Sequence, residues 1–220
     1  MRLFDVIGPI MTGPSSSHTA GAVKIGLVTR AMLGGEPARA SILLHGSFAQ
    51  TGRGHGTDRA IVAGLLGMHP DDPRIPDSFT LAEQAGLSFS FTTGTLKNVH
   101  SNTAALSVEN AKGERLDVVA SSLGGGRIQI CRVDGIETGF SGGSNTLIVH
   151  NEDKPGCAAV VTALLARFGL NIATMQLCRN FPGGYAVMVI ECDQYIPEEL
   201  AHELEQADGV ARVTRLNLDV

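Results

Sequence analysis

Two short segments hold residue types suited to chemistry. Gly13-Pro14-Ser15-Ser16-Ser17-His18-Thr19 places four hydroxyls and an imidazole directly after a Gly-Pro turn. An amphipathic stretch follows, with Ala20, Val23, Leu27, Val28, Ala31 and Met32 at helical spacing up to Gly34-Gly35. First-turn N–H groups lack partners within a helix, and the helix dipole favours negative charge there. A cap needs one hydroxyl. Four hydroxyls beside an imidazole point to an anion or ligand site. Thr51-Gly52-Arg53-Gly54-His55-Gly56 reads as a glycine-rich loop after a strand, with Thr57 and Asp58 placed to cap the next helix.

Other chemistries fit these segments poorly. Gly52-x-Gly54-x-Gly56 lies between strand and helix as a dinucleotide loop does, but Thr57 stands where G-x-G-x-x-G needs its third glycine. Ser16, His55 and Asp58 are the residue types of a hydrolase triad, yet no G-x-S-x-G elbow is present. Pyridoxal phosphate needs a Schiff-base lysine. Lys24, Lys97, Lys112 and Lys154 all lie outside Ser- or Gly-rich phosphate-binding settings.

The chain has 220 residues, enough for one large domain or two small ones. Its net charge of −5 carries no basic patch, so nucleic acid is not an expected partner. No apolar run approaches the roughly 18–20 residues that span a bilayer. Met1-Arg2-Leu3-Phe4-Asp5 opens no long apolar stretch, so a secretory signal is not expected and the cytoplasm is the default location. Cys131, Cys157, Cys178 and Cys192 form no C-x-x-C pair. They read as buried thiols, and no metal or cluster site is expected within this chain.

The elements that must position the two segments fall into halves. Phe140-Ser141-Gly142-Gly143-Ser144-Asn145 has a linker composition, which divides the chain into residues 1–143 and 144–220. In the first half a strand carries Ala40, Ile42 and Leu44 on one face, and Ile61, Val62, Leu65, Leu66 and Met68 predict a helix. Thr80-x-x-Glu83 resembles a capping box. Leu87, Phe89 and Phe91 alternate as a half-buried strand, and further strands are predicted over 103–110, 115–121 and 127–133. Asp134-Gly135 predicts a hairpin turn into a last short strand. The second half reads strand, helix, strand, strand, helix, strand over 146–150, 156–168, 171–179, 185–192, 197–207 and 211–218. That is the ferredoxin-like βαββαβ order.

Here a family resemblance enters. Asn151-Glu152-Asp153-Lys154-Pro155-Gly156, between the first strand and helix of the second half, resembles the ligand-sensing loop of ACT domains. The first half resembles the allosteric-substrate-binding fold. Gly13–Thr19, Gly52–Asp58 and His100-Ser101-Asn102-Thr103 together resemble the β subunits of iron–sulfur-dependent L-serine dehydratases. The resemblance implies an α+β protein: an N-terminal allosteric-substrate-binding-like α/β domain followed by an ACT domain. It implies conversion of L-serine to pyruvate and ammonia. It also implies a 4Fe–4S cluster acting as a Lewis acid, held by cysteines of a partner α subunit.

β-Elimination from serine needs a base for the Cα–H, help for the departing hydroxyl and a clamp on the carboxylate. An open iron position can supply the second. Ser15, Ser16, Ser17, Thr19 and Asn102 are the candidates for binding substrate, the serines with nearby N–H groups for its carboxylate. His55, flanked by glycines, is the candidate for proton transfer, with His18 or His100 orienting substrate or sharing that role. Asn151, Asp153 and Gly156 are candidates for an amino acid in the ACT-like half, where they would equally well form a turn and a helix start. Pairing of ACT domains implies an assembly larger than one αβ pair. The competing expectation is a non-catalytic module that senses serine for a partner enzyme.

Overall fold

The computed structural model describes residues 11–217, without the side chain of Arg53. Met1–Asp5 and the last residue of the predicted final strand, Leu218, lie outside the described residues. The chain divides into two compact units, one ending at Cys131 and the other starting at Arg132.

The first unit opens with a π-helical turn, Ser16–Gly21, that runs into helix α1, Ala22–Leu33. Strand β1, Pro37–His45, leads to helices α2 (Gly46–His55), α3 (Thr57–Leu65) and α4 (Ser78–Gln84). Then come β2 (Ser88–Gly94), β3 (Asn102–Asn110), β4 (Arg115–Gly124) and β5 (Arg127–Val133). The sheet order is β2-β1-β3-β4-β5-β6, with β6 at Ile136–Phe140. β1 and β2 run parallel, joined through the helices, while β3 is antiparallel to β1 and β4.

Alternation explains the sheet's buried face. Ile42 sits opposite Leu106, and Leu106 opposite Val118; Leu44, Ala104 and Ala120 form a second row. All six are buried, because the period of two puts every second side chain on one face. Helix α1 lies against α3 and β4. Its approach to α3 is set by two glycines. A Cβ on Gly26 would stand 2.3 Å from the Ile61 carbonyl oxygen, and one on Gly64 2.1 Å from that of Val23.

The second unit contains β7 (Asn145–Glu152), α5 (Cys157–Arg167), β8 (Ile172–Arg179), β9 (Tyr185–Cys192), α6 (Glu198–Glu205) and β10 (Val210–Leu216). Its sheet order is β10-β7-β9-β8, antiparallel throughout. That is the ferredoxin-like arrangement expected from the element order. Leu147, Val149, Met188 and Ile190 from the sheet pack with Val161, Leu165, Leu200 and Leu204 from the helices. β6 groups with this unit, where Gln176 Nε2 donates to the Gly139 carbonyl at 2.7 Å.

Four local expectations need correction. The predicted loop Thr51–Gly56 is the C-terminal part of α2, and only Gly56, at φ 68°, breaks the helix. Gly52 is buried, and a Cβ there would already lie 3.4 Å from Thr57, so the roughly 1 kcal/mol that glycine costs in a helix is borne at a close-packed position. Thr57 and Asp58 do not cap α3; its N-cap is Gly56. Thr80 and Glu83 form no capping box, because α4 already starts at Ser78, whose Oγ donates to the Arg59 carbonyl at 2.9 Å. The first helix starts at Ser16, so Ser16, Ser17, His18 and Thr19 belong to its opening turn rather than to a loop ahead of it.

The glycine contact makes a direct stability prediction. Gly26→Ala should destabilise the chain by about 2 kcal/mol or more, since the obstructing atoms are backbone. Gly35→Ala, where a Cβ meets nothing within 4 Å, should stay within about 0.5 kcal/mol. Denaturant titration of both variants checks this, and equal midpoints would overturn it.

Candidate functional site

Helix α2 collects the motifs. Its start is fixed by Gly46, whose φ of 56° suits glycine and whose Cβ would lie 2.5 Å from the Ser101 carbonyl oxygen. The next residue, Ser47, donates its backbone N–H to that same carbonyl at 2.8 Å. The His100–Thr103 segment is thereby seated on the first turn of α2. Ser47, Thr51 and His55 recur every four residues, so they share one face of the helix. That face meets His18. Its Nε2 lies 3.1 Å from Ser47 Oγ and 3.0 Å from Thr51 Oγ1.

His18 is wedged between two rings. Phe48 lies edge-on at 5.3 Å and His55 at 4.9 Å, centroid to centroid. Phe48 is fully buried, His18 is 8% exposed and His55 is exposed. Burial pushes the His18 pKa below the ordinary histidine value, and the charge of His55 pushes it the same way; a hydrogen bond to the Ser47 backbone opposes both. Thr19 Oγ1 donates to the His55 carbonyl at 3.3 Å, a second link between the opening turn and the end of α2.

Three hydroxyls of the first motif, those of Ser15, Ser16 and Thr19, have backbone partners. Ser15 is the N-cap, accepting from the His18 N–H at 3.1 Å. Ser16 Oγ accepts from the Gly125 N–H at 3.3 Å. Ser17 is half-buried. His100 is exposed, and its Nδ1 accepts from the Asn102 N–H at 3.1 Å. Thr103, fully buried, donates to the His100 carbonyl at 2.5 Å and sits 2.6 Å from Ser121 Oγ. Beside His55 a cavity of about 460 Å³ is lined by Pro14 and Thr19 from the first motif and by Gly54, His55 and Asp58 from the second.

The structure therefore brings His18 against His55 and seats the His100 segment on the first turn of the same helix, where Ser47 contacts both His18 and Ser101. Sequence reasoning missed Ser47, Phe48 and Thr51. The four-residue spacing of Ser47, Thr51 and His55 was the available signal, hidden by the glycines that made the segment read as a loop.

In the second unit, Asn151 is 2% exposed; its Nδ2 donates to the Glu152 carbonyl at 2.7 Å, and its Oδ1 has no partner. Asp153 Oδ2 accepts from the Gly183 N–H and from Arg179, each at 2.9 Å. Those two donors, the N–H first, hold its pKa below the usual carboxylate range. Its carboxylate thus anchors the β8–β9 hairpin tip. Gly156, at φ 98°, is the N-cap of α5.

Among the described residues no group of three or more His, Cys, Asp or Glu side chains is placed to hold a metal ion. Cys157 and Cys192 belong to the second unit's apolar core, and Cys131 and Cys178 are half-buried. These residues do not fit a cluster. No helix among the described residues is long and apolar enough to cross a membrane.

Residues 3–85 match the family described as serine dehydratase beta chain. The chain is 42% identical over 214 residues to the probable L-serine dehydratase, beta chain, of Bacillus subtilis (strain 168), covering 97% of each. It is 41% identical over 212 residues to the L-serine dehydratase, beta chain, of Peptoniphilus asaccharolyticus, covering 96% of this chain and 94% of that one. Among solved structures, the ACT domain from GTP pyrophosphokinase of Chlorobium tepidum aligns with 33% of this chain and 95% of its own, at 25% identity and a TM-score of 0.28.

The ring contact predicts coupled titration. Replacing His55 with Ala should raise the His18 pKa, because a neighbouring positive charge is removed, while burial keeps it below the ordinary value. Nuclear magnetic resonance titration of the His18 ring reads this shift. An unchanged midpoint would show that the two rings do not interact electrostatically.

Proposed function

The chain belongs to the serine dehydratase β-chain family, and from that premise we propose that it is one subunit of an enzyme converting L-serine to pyruvate and ammonia. The observation that carries the proposal is the convergence of the three motifs on α2. His18 lies along the helix from Ser47 to His55, and the His100 segment is held at its first turn.

On this reading the base and the carboxylate clamp come from this chain. His55 is exposed beside a cavity and takes the α-proton. His18 and His100 orient the substrate. Ser15 and Ser16 each accept a backbone N–H, so each keeps its own hydroxyl hydrogen to offer a carboxylate. Ser17, Thr19 and Asn102 complete the proposed binding set. The Cα–H proton goes to the base, the Cβ–O bond breaks, and the departing hydroxide takes up one proton to leave as water, so that the base's gain and the leaving group's gain balance through solvent. The resulting enamine tautomerises and hydrolyses to pyruvate and ammonia. The 4Fe–4S cluster that would assist the departing hydroxyl has no fitting ligands here and belongs to a cysteine-bearing α subunit. Pairing through the ACT-like unit would enlarge the assembly, and the cytoplasm is the proposed location.

A second reading is a serine sensor acting on a partner enzyme. One observation favours it: the buried Asn151 Oδ1 has no hydrogen-bond partner, which marks the Asn151–Gly156 turn as incomplete.

The test uses this chain assembled with its α subunit. His55→Ala should lower kcat for serine by roughly 10²–10⁴-fold, the usual contribution of a positioned acid–base group, with assembly intact. Near-normal kcat would remove His55 from the mechanism. If Ala at His18, His55 and His100 together leaves turnover unchanged, the sensor reading stands instead.

A further inference from the structure

Arg59 stands one residue beyond the second motif and lines the same cavity as His55. It lies in the first turn of α3, where its main chain is engaged on both sides. Its N–H donates to Asp58 Oδ1 at 2.8 Å, and its carbonyl accepts from Ser78 Oγ at 2.9 Å. Packing places the guanidinium. Its carbon lies 5.8 Å from the centre of the Phe79 ring, a cation–π distance, and Phe79 lines the same cavity. Phe79 is itself held against Phe89, 4.9 Å away between ring centres. Among the described residues the guanidinium makes no hydrogen bond and no ion pair. By contrast, Arg30, Arg39, Arg74 and Arg115 of the same unit each hold a carboxylate. Asp58 makes no such pair with Arg59; one of its oxygens accepts the backbone N–H instead.

A phenyl ring carries no lone pair, so the five N–H donors of Arg59 are unspent, and they form the planar fork that fits a carboxylate in bidentate fashion. Asp58 lines the cavity as well, so its wall carries one group of each sign, which suits a zwitterion. We propose that Arg59, held on the cavity wall by Phe79, binds the α-carboxylate of the substrate beside His55. This rests on the reading above, that the site handles serine. The hydroxyls of Ser15 and Ser16 are neutral donors, and Arg59 adds the charge: hydrogen bonds that involve an ionised group are roughly twice as strong as neutral ones. The role makes the site selective for a free α-amino acid, because a serine amide offers the fork no carboxylate.

The test uses the complex with the α subunit. Arg59→Met keeps an apolar stem against Phe79 and removes the charged fork. It should raise KM for L-serine roughly tenfold to a hundredfold and leave kcat within about threefold, the pattern of lost ground-state binding. Inhibition by 3-hydroxypropionate, the probe for the carboxylate, should weaken by a similar factor. Inhibition by 3-hydroxypropionamide should be the same in both proteins. Arg59→Lys, which keeps the charge without the fork, should fall between. Wild-type KM and wild-type inhibition by 3-hydroxypropionate in Arg59→Met overturn the proposal. So does a fall in kcat alone, or an equal loss for the amide. Where Arg59→Met does not assemble, Arg59→Lys decides: a raised KM supports the proposal and a wild-type KM overturns it. If the wild-type complex turns over no serine, the functional reading fails, and calorimetric binding of 3-hydroxypropionate decides the proposal by itself. Weaker binding to Arg59→Met then supports it, and equal or absent binding overturns it.

Discussion

Ser47 makes the contacts on which the first unit's site depends. Its amide N–H holds the Ser101 carbonyl at 2.8 Å, and its hydroxyl lies 3.1 Å from His18 Nε2. One residue on the first turn of α2 thus ties a segment after β2 to a turn before α1. Each bond is worth about 1 kcal/mol net, but leaving a buried partner unpaired costs more. For the buried His18 ring, Ser47 Oγ and Thr51 Oγ1 are the hydroxyl partners that offset that cost. Gly46 is the condition for both contacts, since any side chain there would collide with Ser101.

Around that contact, exposure assigns different tasks to similar side chains. His18 is buried against Phe48 and held by the Ser47 and Thr51 hydroxyls, which fixes its ring in place. His55 and His100 are exposed, which leaves them open to ligand. In the second unit the same logic separates neighbours in one turn. Asp153 is satisfied by Arg179 and the Gly183 N–H and serves the hairpin, whereas Asn151 keeps an unpaired buried oxygen. Of the two, Asn151 is the residue whose hydrogen bonding is unfinished.

Much of the fold was legible because alternation and turn chemistry are local. Ala40, Ile42 and Leu44 face inward as their spacing required. Asp134 and Gly135 take the positive φ values, 48° and 79°, that a tight hairpin demands. The βαββαβ order was readable from caps and strand lengths alone. The misread segment was Thr51–Gly56, where three glycines signalled a loop. Propensity is a weak local term there, and Gly52 is buried inside α2, whose helix runs on to His55. That error hid the four-residue face of Ser47, Thr51 and His55, and with it the contacts of His18.

The sequence by itself determined the chemical inventory, the family pattern of the three motifs, and the strand and helix order of the second unit. These follow from residue types and short-range spacing. Tertiary structure alone decided which histidines meet, which hydroxyls are occupied and which side chains enclose His18. Each of those depends on atoms brought together across dozens of residues, through backbone contacts at Gly46 and Ser101 that no periodicity records.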